Sequence, residues 1–563
     1  MQCTICQQPF TISRLEKTVT TKLNVPEPTT CHECSWQRQF AFRNDMFLYK
    51  RTCDLTGKTL VSHYAPDAFC PVYDHAAWYS DQWDPTTYGR DYDSARPFFE
   101  QFHDLQKQVP RPHKLALGTL ENSEYTNAVM DLKNCYMVFS AGMNENCCYA
   151  EFSDNSNNSM DILNTMKSEL CYESTNSEQC YRCFFVAESQ NCTDSAFLLN
   201  CNNCTNCFSC VNLKNKQYCW FNEQLTKEEY ETKLHAANLG SFAQLQKIRR
   251  QFQEFVLTQP HLPNHSRNTE DSSGDYIYNC KNCTNTYLDH GSENCANIFH
   301  CTNMKDCARV TSCDYIEIGY EVTLCTDYPN PMYDMAFNVN ILGKSRGLRY
   351  CDYCSNCEDS FGCVGLRGKK YCILNKQYSK EEYEKLRAQI IADMTASGEW
   401  GQFFPAYCSP FGYNETFGQD FYPLSKADAT AQGFRWQDNT PNVAGKETLT
   451  ADQIPDSIAE VKDDVVKEIL CCTSCGRNYK IIQQELDFYR QQRLPLPRKC
   501  FICRHTARLR LRNPMKLYQR QCMCDRDHPA HTGQRCPTTF ETTYDDTRRE
   551  IIFCKPCYNL EIQ

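Results

Sequence analysis

Small apolar residues and polar residues alternate along the middle of the chain with a spacing that does not suit a helix. Cysteine behaves as a small, usually buried apolar residue, and it recurs at intervals of nine at Cys192, Cys201, Cys210 and Cys219. Multiples of twelve separate the further cysteines Cys135, Cys147, Cys171 and Cys183, and multiples of six separate Cys283, Cys295, Cys301, Cys307, Cys313 and Cys325. None of these intervals matches the 3.6 residues of a helical turn, so the pattern predicts short stacked strands.

Asparagine stands directly before many of these cysteines. It does so at Asn134, Asn146, Asn191, Asn200, Asn203, Asn206, Asn279, Asn282, Asn294 and Asn356. Asn tolerates left-handed backbone dihedrals, so each pair predicts a corner between two strands. Strands this short bury a face only when successive coils stack, which predicts a parallel β-solenoid. A string of small zinc knuckles without a continuous core is the alternative.

Cysteine and larger apolar residues are expected to fill the interior of this solenoid. The larger residues include Tyr136, Phe139, Phe184 and Phe185. The solenoid is duplicated at an offset of 153, which places Cys201, Cys204, Cys210 and Cys219 on Cys354, Cys357, Cys363 and Cys372. Each copy holds 12 cysteines, and we expect these to be free buried thiols.

A helix is predicted to follow each solenoid copy. Thr226 with Glu229, and Ser379 with Glu382, have the spacing of a capping box, in which the hydroxyl and the carboxylate satisfy first-turn amides. The first helix is expected to break near Gly240. The polar run from Asn264 to Asp275 is interpreted as a linker, and a short amphipathic helix is expected near Ser457 to Leu470.

The two ends of the chain carry copies of one module. Residues 3 to 53 match residues 472 to 522 at a constant offset of 469, and each copy has two C-x2-C pairs separated by 24 residues. Four thiolates in two such pairs form a closed tetrahedral zinc site, which is structural because no position is left for water or substrate. The predicted ligands are Cys3, Cys6, Cys31 and Cys34, and Cys472, Cys475, Cys500 and Cys503.

A third zinc site is possible after the second module. Five cysteines and two histidines lie between residues 522 and 557, and four of the cysteines suffice for one ion. We favour Cys524, Cys536, Cys554 and Cys557 as its ligands. Zn²⁺ is therefore the expected cofactor, with two structural sites and this possible third.

The 41 cysteines of the 563-residue chain raise the choice between disulfides and metal. Paired C-x2-C spacings, an odd total and the lack of an export signal at MQCTICQQPF favour metal and a cytoplasmic location. No apolar run of 18 residues occurs, so no membrane partner is expected.

These observations predict a mainly β protein. Its duplicated cysteine-rich β-solenoid is flanked by zinc-ribbon modules and joined by a few α-helices. The predicted divisions are a ribbon (1–53), an aromatic and acidic cap on the first solenoid coil (54–120), the first solenoid (121–225), a helical segment (226–263), a linker (264–275), the second solenoid (276–378), a helix (379–400), an irregular segment with a short helix (401–470), the second ribbon (471–521) and a C-terminal zinc module (522–563).

A resemblance supports the ribbon interpretation. Residues 471 to 513 resemble a probable zinc-ribbon family through Cys472, Cys475, Gly476, Glu485, Phe488, Tyr489, Pro497, Cys500, Cys503 and Arg504. The N-terminal copy departs from that pattern with Gln7 and Ser35 at the positions of Gly476 and Arg504. In its order of ribbon, RN-x-M-x-LY, FFEQF at 98 to 102, Asn-Cys pattern and SKEEY helix, the chain as a whole resembles an uncharacterised cysteine-rich bacterial family. These resemblances imply zinc and leave the function open.

Charge suggests a partner. The formal net charge is -10, yet residues 471 to 520 hold 12 Lys or Arg and two acidic residues. Alternating arginines on a strand would present a basic row to phosphates, and Tyr and Arg planes can stack on bases. The candidate contacts are Arg504, Arg508, Arg510, Arg512, Lys516, Tyr518 and Arg520. A basic face that pairs with the protein's own acidic body is the plain alternative.

The leading hypothesis is therefore a non-catalytic zinc protein that binds nucleic acid, structured RNA or a ribonucleoprotein above all. A protein-binding scaffold and a thiol-rich metal or redox buffer are the alternatives. No phosphate loop, dinucleotide fingerprint, H-E-x-x-H motif or nucleophile elbow is present, and no small-molecule substrate is identified, so an enzyme is not expected.

Overall fold

A computed structural model describes residues 1–314, 316–325, 332–441, 443–529 and 531–562. Strand exceeds helix, at 30% against 24%. The helices are α1 Arg14–Leu23, α2 His32–Phe40, α3 His75–Tyr79, α4 Phe98–Gln106, α5 Lys227–Ala237, α6 Phe242–Val256, α7 Lys380–Ser397, α8 Phe417–Phe421, α9 Lys426–Ala431, α10 Gln483–Gln492, α11 Phe501–Leu509 and α12 Lys555–Glu561.

Four short strands precede an 11-stranded sheet, which we call the first stack. The four are β1 Tyr49–Thr52, β2 Thr59–Ser62, β3 Val72–Tyr73 and β4 Arg111–Pro112. The first stack comprises β5 Ala116–Glu121, β6 Thr126–Lys133, β7 Tyr136–Gly142, β8 Cys148–Glu151, β9 Met160–Met166, β10 Tyr172–Glu178, β11 Phe184–Ala187, β12 Ala196–Leu199, β13 Phe208–Val211, β14 Cys219–Trp220 and β15 Glu223–Gln224. Its strands pair in sequence order and are parallel up to β14.

A second set of strands, parallel except at its last pair, follows the connecting strand β16 Pro260–His261, and we call it the second stack. It comprises β17 Gly274–Tyr278, β18 Thr286–His290, β19 Lys305–Ala308, β20 Thr311–Cys313, β21 Ile316–Cys325, β22 Met332–Val339, β23 Arg346–Arg349, β24 Glu358–Phe361, β25 Lys370–Ile373 and β26 Lys376–Gln377. The C-terminal strands are β27 Leu470–Cys471, β28 Asn478–Tyr479, β29 Tyr518–Gln521, β30 Thr539–Thr542 and β31 Ile551–Ile552.

The repeat of the first stack is twelve residues. Phe184 lies beside Ala196, Ala196 beside Phe208, and Phe208 beside Trp220 on neighbouring strands. From Ala128 to Phe221 every third residue has a positive φ, so four left-handed corners fall in each repeat. All ten asparagines that precede a cysteine in the predicted pattern have φ between 50° and 56°, which confirms the prediction of Asn corners.

Side-chain amides join these corners from repeat to repeat. The Asn134 Nδ2 donates to Asn146 Oδ1 at 3.0 Å, and Asn146 donates to Asn158 at the same distance. Asn therefore serves twice at a corner, because it tolerates the left-handed backbone and also bonds to its counterpart twelve residues away.

Thiols fill the interior together with aliphatic side chains. The Cys147 thiol donates to the carbonyls of Glu145 at 3.5 Å and Ser156 at 3.2 Å, two residues before it and nine after it. Many other interior cysteines make the same two contacts, and the Ser156 hydroxyl makes them in an equivalent place. A small side chain with a weak donor thus fills space and bonds to backbone carbonyls in the core.

The large aromatic residues do not lie inside the stack, contrary to the prediction for Tyr136, Phe139, Phe184 and Phe185. The interior cluster contains Cys, Val, Leu, Ile and Ala. Phe139, Phe185 and Phe197 belong instead to a separate cluster under α6 and the C-terminal module. These residues lie at left-handed corners or on the outer side of the strands. Aromatic rings have room there, whereas a coil of only twelve residues cannot enclose them.

The helices follow both stacks as predicted. Capping boxes at Thr226 with Glu229 and at Ser379 with Glu382 begin α5 and α7. Helix α5 ends at Ala237 and α6 begins at Phe242, so the helical segment breaks near Gly240 as expected. Between residues 457 and 470 two short 3-10 turns replace the predicted helix.

Two predicted segments differ from the structure. The aromatic cap contacts the first coil, where Asn127 Nδ2 lies 3.0 Å from His63 Nδ1, but it also packs on the second stack. There Phe98 contacts Phe361 and Tyr350, with ring centroids 5.2 Å and 5.5 Å away. Within the predicted linker, Arg267 and Glu270 already form parallel bridges to the next coil. Polar corner residues made that coil resemble a linker, since its sequence contains few apolar positions.

The two terminal modules correspond element by element and dock crosswise. Helices α1, α2 and strand β1 lie 469 residues before α10, α11 and β29 with identical bounds. The N-terminal module packs on the second stack, where Trp36 Nε1 donates to the carbonyl of Asn297 at 3.1 Å. The C-terminal module packs on the first stack, where the Tyr149 hydroxyl donates to Glu485 at 2.9 Å.

Candidate metal centres

Both terminal modules bring their four predicted sulfurs together. The Sγ atoms of Cys3, Cys6, Cys31 and Cys34 lie within 4.8 Å of one another, and so do those of Cys472, Cys475, Cys500 and Cys503. The Cys6 and Cys31 sulfurs are 3.8 Å apart, and those of Cys475 and Cys500 are 3.7 Å apart. A tetrahedral ion with bonds of about 2.3 Å sets its sulfurs about 3.8 Å apart. Both groups can hold a metal ion.

The same local structure positions the ligands in each module. Cys31 and Cys500 are the N-cap residues of α2 and α11, and Cys34 and Cys503 follow in the first turn. The first pair of each module sits on a tight turn whose next residue, Gln7 or Gly476, has positive φ. A helix N-terminus and a turn rich in free amides both stabilise thiolate charge.

Hydrogen bonding favours the thiolate at several ligands. Bonds from the thiol and then the amide of Cys34 lower the pKa of Cys31 to about 4, against the effect of burial. At Cys472 burial raises the pKa, but the amides of Cys500, Ser474 and Cys475 outweigh it and bring the pKa to about 7. Thiolates are the form that binds a metal ion, so these sites are prepared for one.

A third group of four sulfurs lies beyond the second module, and its membership differs from the favoured set. It consists of Cys522, Cys536, Cys554 and Cys557, all buried. The Cys536 and Cys554 sulfurs are 3.9 Å apart, and the amide of Cys554 donates to Cys522 Sγ at 3.1 Å. Cys554 is again a helix N-cap, at α12. The C-x2-C pair at a helix start is thus common to all three groups.

Cys524, which we favoured for the third site, lies in a fourth group. Its partners are His528, His531 and Cys557. Cys522 replaces it in the third group because β29 ends at Gln521 and directs the following residue towards α12. The sequence alone does not distinguish Cys522 from Cys524 as the ligand, since both residues follow the same strand within three positions of its end.

The described cysteines form no disulfide. The described thiols inside the stacks are buried, and burial raises the pKa of many of them, as at Cys135, where the pKa rises to about 11. Their partners are backbone carbonyls, as at Cys147. The interior thiol of Cys135 and the ligand thiols of Cys31 and Cys472 therefore differ in electrostatics: burial keeps the first protonated, while hydrogen bonds favour charge on the other two.

The predicted nucleic-acid contacts divide into buried and exposed residues. Arg504, Arg508 and Arg512 are buried, whereas Arg510 and Lys516 are exposed and Tyr518 and Arg520 are intermediate. The predicted strand of alternating arginines is wrong, because residues 501 to 509 form α11. The spacing of four between the buried arginines is the helical signal that sequence reasoning missed.

These buried arginines bind the first stack. Arg504 pairs with Asp161 at 2.9 Å and with Glu485 at 3.4 Å, and Arg508 pairs with Asp161 at 2.8 Å. Arg512 donates to the side-chain oxygen of Asn176 at 3.2 Å. Asp161 lies in β9, more than 300 residues away in the chain, so no local pattern identified it as the partner. Part of the positive charge of the C-terminal module therefore neutralises a carboxylate of the first stack.

Comparisons with known proteins give no family. No protein family and no curated protein matches the sequence. One solved structure, described as a "putative acetyltransferase" from Desulfovibrio desulfuricans G20, aligns with 42% of this chain and 67% of its own length at 10% identity. Its TM-score of 0.10 is too low for any argument about fold or function. Among the described residues, no helix combines the length and apolarity needed to cross a membrane.

Proposed function

We propose that the chain is a non-catalytic, zinc-stapled scaffold that presents an extended surface to another macromolecule. The observation that carries this proposal is the set of three four-sulfur groups, whose sulfur–sulfur separations suit a tetrahedral ion. Four protein ligands leave no position for a reacting molecule, so the role of each ion is structural.

Zinc is the metal that the ligands favour. Four thiolates in a tetrahedral arrangement select Zn²⁺ or an iron–sulfur centre. Two C-x2-C pairs held by a turn and a helix start are typical of zinc ribbons, and the resemblance of residues 471 to 513 to such proteins points the same way. Since modules this small bury little apolar surface, the bound ion supplies much of their folding free energy.

We infer that each stack is a parallel β-solenoid, with coils of twelve residues in most of its length and longer coils around β21 and β22 of the second stack. The twelve-residue register of the first stack, its four left-handed corners in each repeat and its interior of small side chains support this inference. A solenoid grows by adding coils and exposes long regular flanks, which suit it to binding partners. The metal-stapled modules then lock the two solenoids together.

A protein partner is favoured over nucleic acid. Arg504, Arg508 and Arg512 are committed to carboxylates and amides of the first stack and cannot contact phosphates. The exposed cations Arg510 and Lys516 do not form a continuous row with them. RNA binding remains a prediction, and the steep salt dependence of phosphate contacts would reveal it.

Metal counting of the full chain tests this proposal. Native mass spectrometry of the purified protein should find zinc in each four-sulfur group, and Cys3→Ser and Cys472→Ser should each remove one ion. Cys408→Ser is the matched control, because Cys408 is buried but lies outside every group. A folded protein without metal contradicts the proposal, and tens of ions per chain would favour the metal-buffer alternative.

A further inference from the structure

The third and fourth groups of metal ligands share one residue. Cys522, Cys536 and Cys554 surround Cys557 on one side, and Cys524, His528 and His531 surround it on the other. We propose that the C-terminal module holds two zinc ions bridged by the Cys557 thiolate. This proposal rests on the proposed structural role of zinc and extends it from one ion to a pair.

The geometry around the second ion suits a closed tetrahedral site. His531 Nε2 lies 3.1 Å from Cys557 Sγ, and Cys524 Sγ lies 3.7 Å from His528 Nδ1. With zinc bonds of about 2.3 Å to sulfur and about 2.1 Å to nitrogen, a tetrahedral edge is about 3.6 Å. Two cysteines and two histidines are a common ligand set for structural zinc.

Hydrogen bonds outside the ligands fix both imidazoles in the form that binds metal. His528 Nε2 lies 2.9 Å from Glu561 Oε1, and a carboxylate only accepts, so this nitrogen carries the proton and Nδ1 keeps a free lone pair. His531 Nδ1 lies 3.2 Å from the carbonyl oxygen of Gln534, which leaves Nε2 free in the same way. Both free nitrogens face sulfur atoms of the group.

Burial excludes a simpler use of these side chains. His528 and His531 are 7% and 8% exposed, and Cys524 is fully buried. One ion takes four of the seven donors and leaves the Cys524 thiol to bond to His528 Nδ1. His531 Nε2 would then face a metal-bound thiolate that has no proton to donate, and a buried lone pair without a partner costs free energy. Two ions that share Cys557 satisfy all seven donors.

Charge also favours a bridge. Four thiolates around one dication carry an excess of two negative charges in a buried place. A second dication that adds a single thiolate, Cys524, and two neutral histidines reduces the net charge of the whole group to -1. A thiolate has several lone pairs and can bind both ions at once, so no further ligand is required.

Glu561 is the positioning residue of this centre. It lies on α12, the same helix that carries Cys557, and it contacts Arg526 as well as His528. A carboxylate that accepts from a ligating histidine holds the ring and strengthens the ligand, and its loss typically lowers metal affinity 10–100-fold. Helix α12 thus carries both the bridging thiolate of Cys557 and the carboxylate of Glu561 that holds a ligand of the second ion.

Zinc stoichiometry of single variants tests the bridge. The full chain should bind four ions, His531→Ala and His528→Ala should each bind three, and the exposed His235→Ala should keep four. Glu561→Gln should keep four at high zinc and lose one during competition with a chelator. Three ions in the unaltered chain, with no change on replacing His531, would overturn the bridge and leave the scaffold proposal standing. A chain with no zinc would instead overturn the scaffold proposal.

Cadmium substitution reports on the bridge itself. In a protein loaded with ¹¹³Cd, two ions joined through one sulfur should show a mutual splitting of their resonances, whereas the ribbon ions should give single lines. His531→Ala should abolish the splitting and retain the resonance of the four-sulfur ion. Four unsplit resonances would show two separate sites and contradict the shared ligand.

Discussion

Arg309 of the second stack pairs with Glu16 of the N-terminal module, with Nε and Oε1 2.8 Å apart and both side chains 1% exposed. Glu485, the residue 469 positions after Glu16, is equally buried and pairs with Arg504. Each terminal module therefore places a carboxylate at its contact with a stack, where an arginine neutralises it.

Replacing this arginine should destabilise the protein strongly. In Arg309→Ala the buried Glu16 and the nearby Glu321 lose their cation, and breaking such a pair costs about 3–5 kcal/mol. Denaturant unfolding of the metal-loaded protein measures the loss. The control Arg346→Ala removes an exposed pair with Glu358 and should cost less than about 1 kcal/mol. Equal losses in the two variants would show that the buried contact has no special role.

The left-handed corners make a second prediction. Asn146 has a φ of 55° and bonds to Asn158, so Asn146→Ala should lose about 1–2 kcal/mol of stability through backbone strain alone. Asn146→Gly relieves that strain and should lose less, because only the amide ladder is removed. Thermal or denaturant unfolding compares the two, and a glycine variant as unstable as the alanine variant would contradict the role of the corner.

The interior thiols should tolerate a hydroxyl but not a larger side chain. Cys171 donates to the carbonyls of Glu169 and Cys180, as Ser156 does at its own position. Cys171→Ser should therefore change the stability little and leave the zinc count unchanged, whereas Cys171→Leu overpacks the coil and should cost about 1–3 kcal/mol. Loss of zinc in the serine variant would mean that interior thiols bind metal.

One ion pair should make stability depend on pH. Burial opposes charge on His265, yet Asp275 at 3.0 Å and the charge of Glu188 raise the pKa of His265 to about 9. A histidine with a raised folded pKa stabilises the protein fully below its unfolded pKa of about 6.5, and this contribution is lost as the pH rises through about 9.

The measurement is the difference in unfolding free energy between the unaltered chain and His265→Gln across that range. The difference should be largest near pH 6 and should fall towards pH 9. Metal binding by thiolates strengthens as the pH rises, so it opposes this trend and cancels in the comparison. A difference that stays constant from pH 6 to pH 9 would contradict the assignment.

Much of the local structure could be read from the sequence. Asn before Cys predicted the corners, the capping boxes at Thr226 and Ser379 predicted two helix starts, and the 469-residue offset predicted equivalent modules. Each of these signals depends on neighbours in the chain or on internal repetition. Such patterns are visible because the physical cause lies within a few residues.

The remainder depends on distant partners. The carboxylate that pairs with the buried Arg504 belongs to Asp161 in β9. The metal ligands around Cys557 likewise come from a strand end, a loop and a helix. Aromatic residues such as Phe185 are buried outside the coils because other elements cover them. Composition and spacing do not contain the crosswise docking that creates these contacts.

Crosswise docking also has a consequence during synthesis. The N-terminal module packs on strands such as β19 and β21, which the ribosome produces roughly 270 residues after α2. At about 5–20 residues per second, the finished module waits on the order of tens of seconds for its docking surface. Early capture of zinc would protect the nascent module from aggregation and proteolysis during that delay.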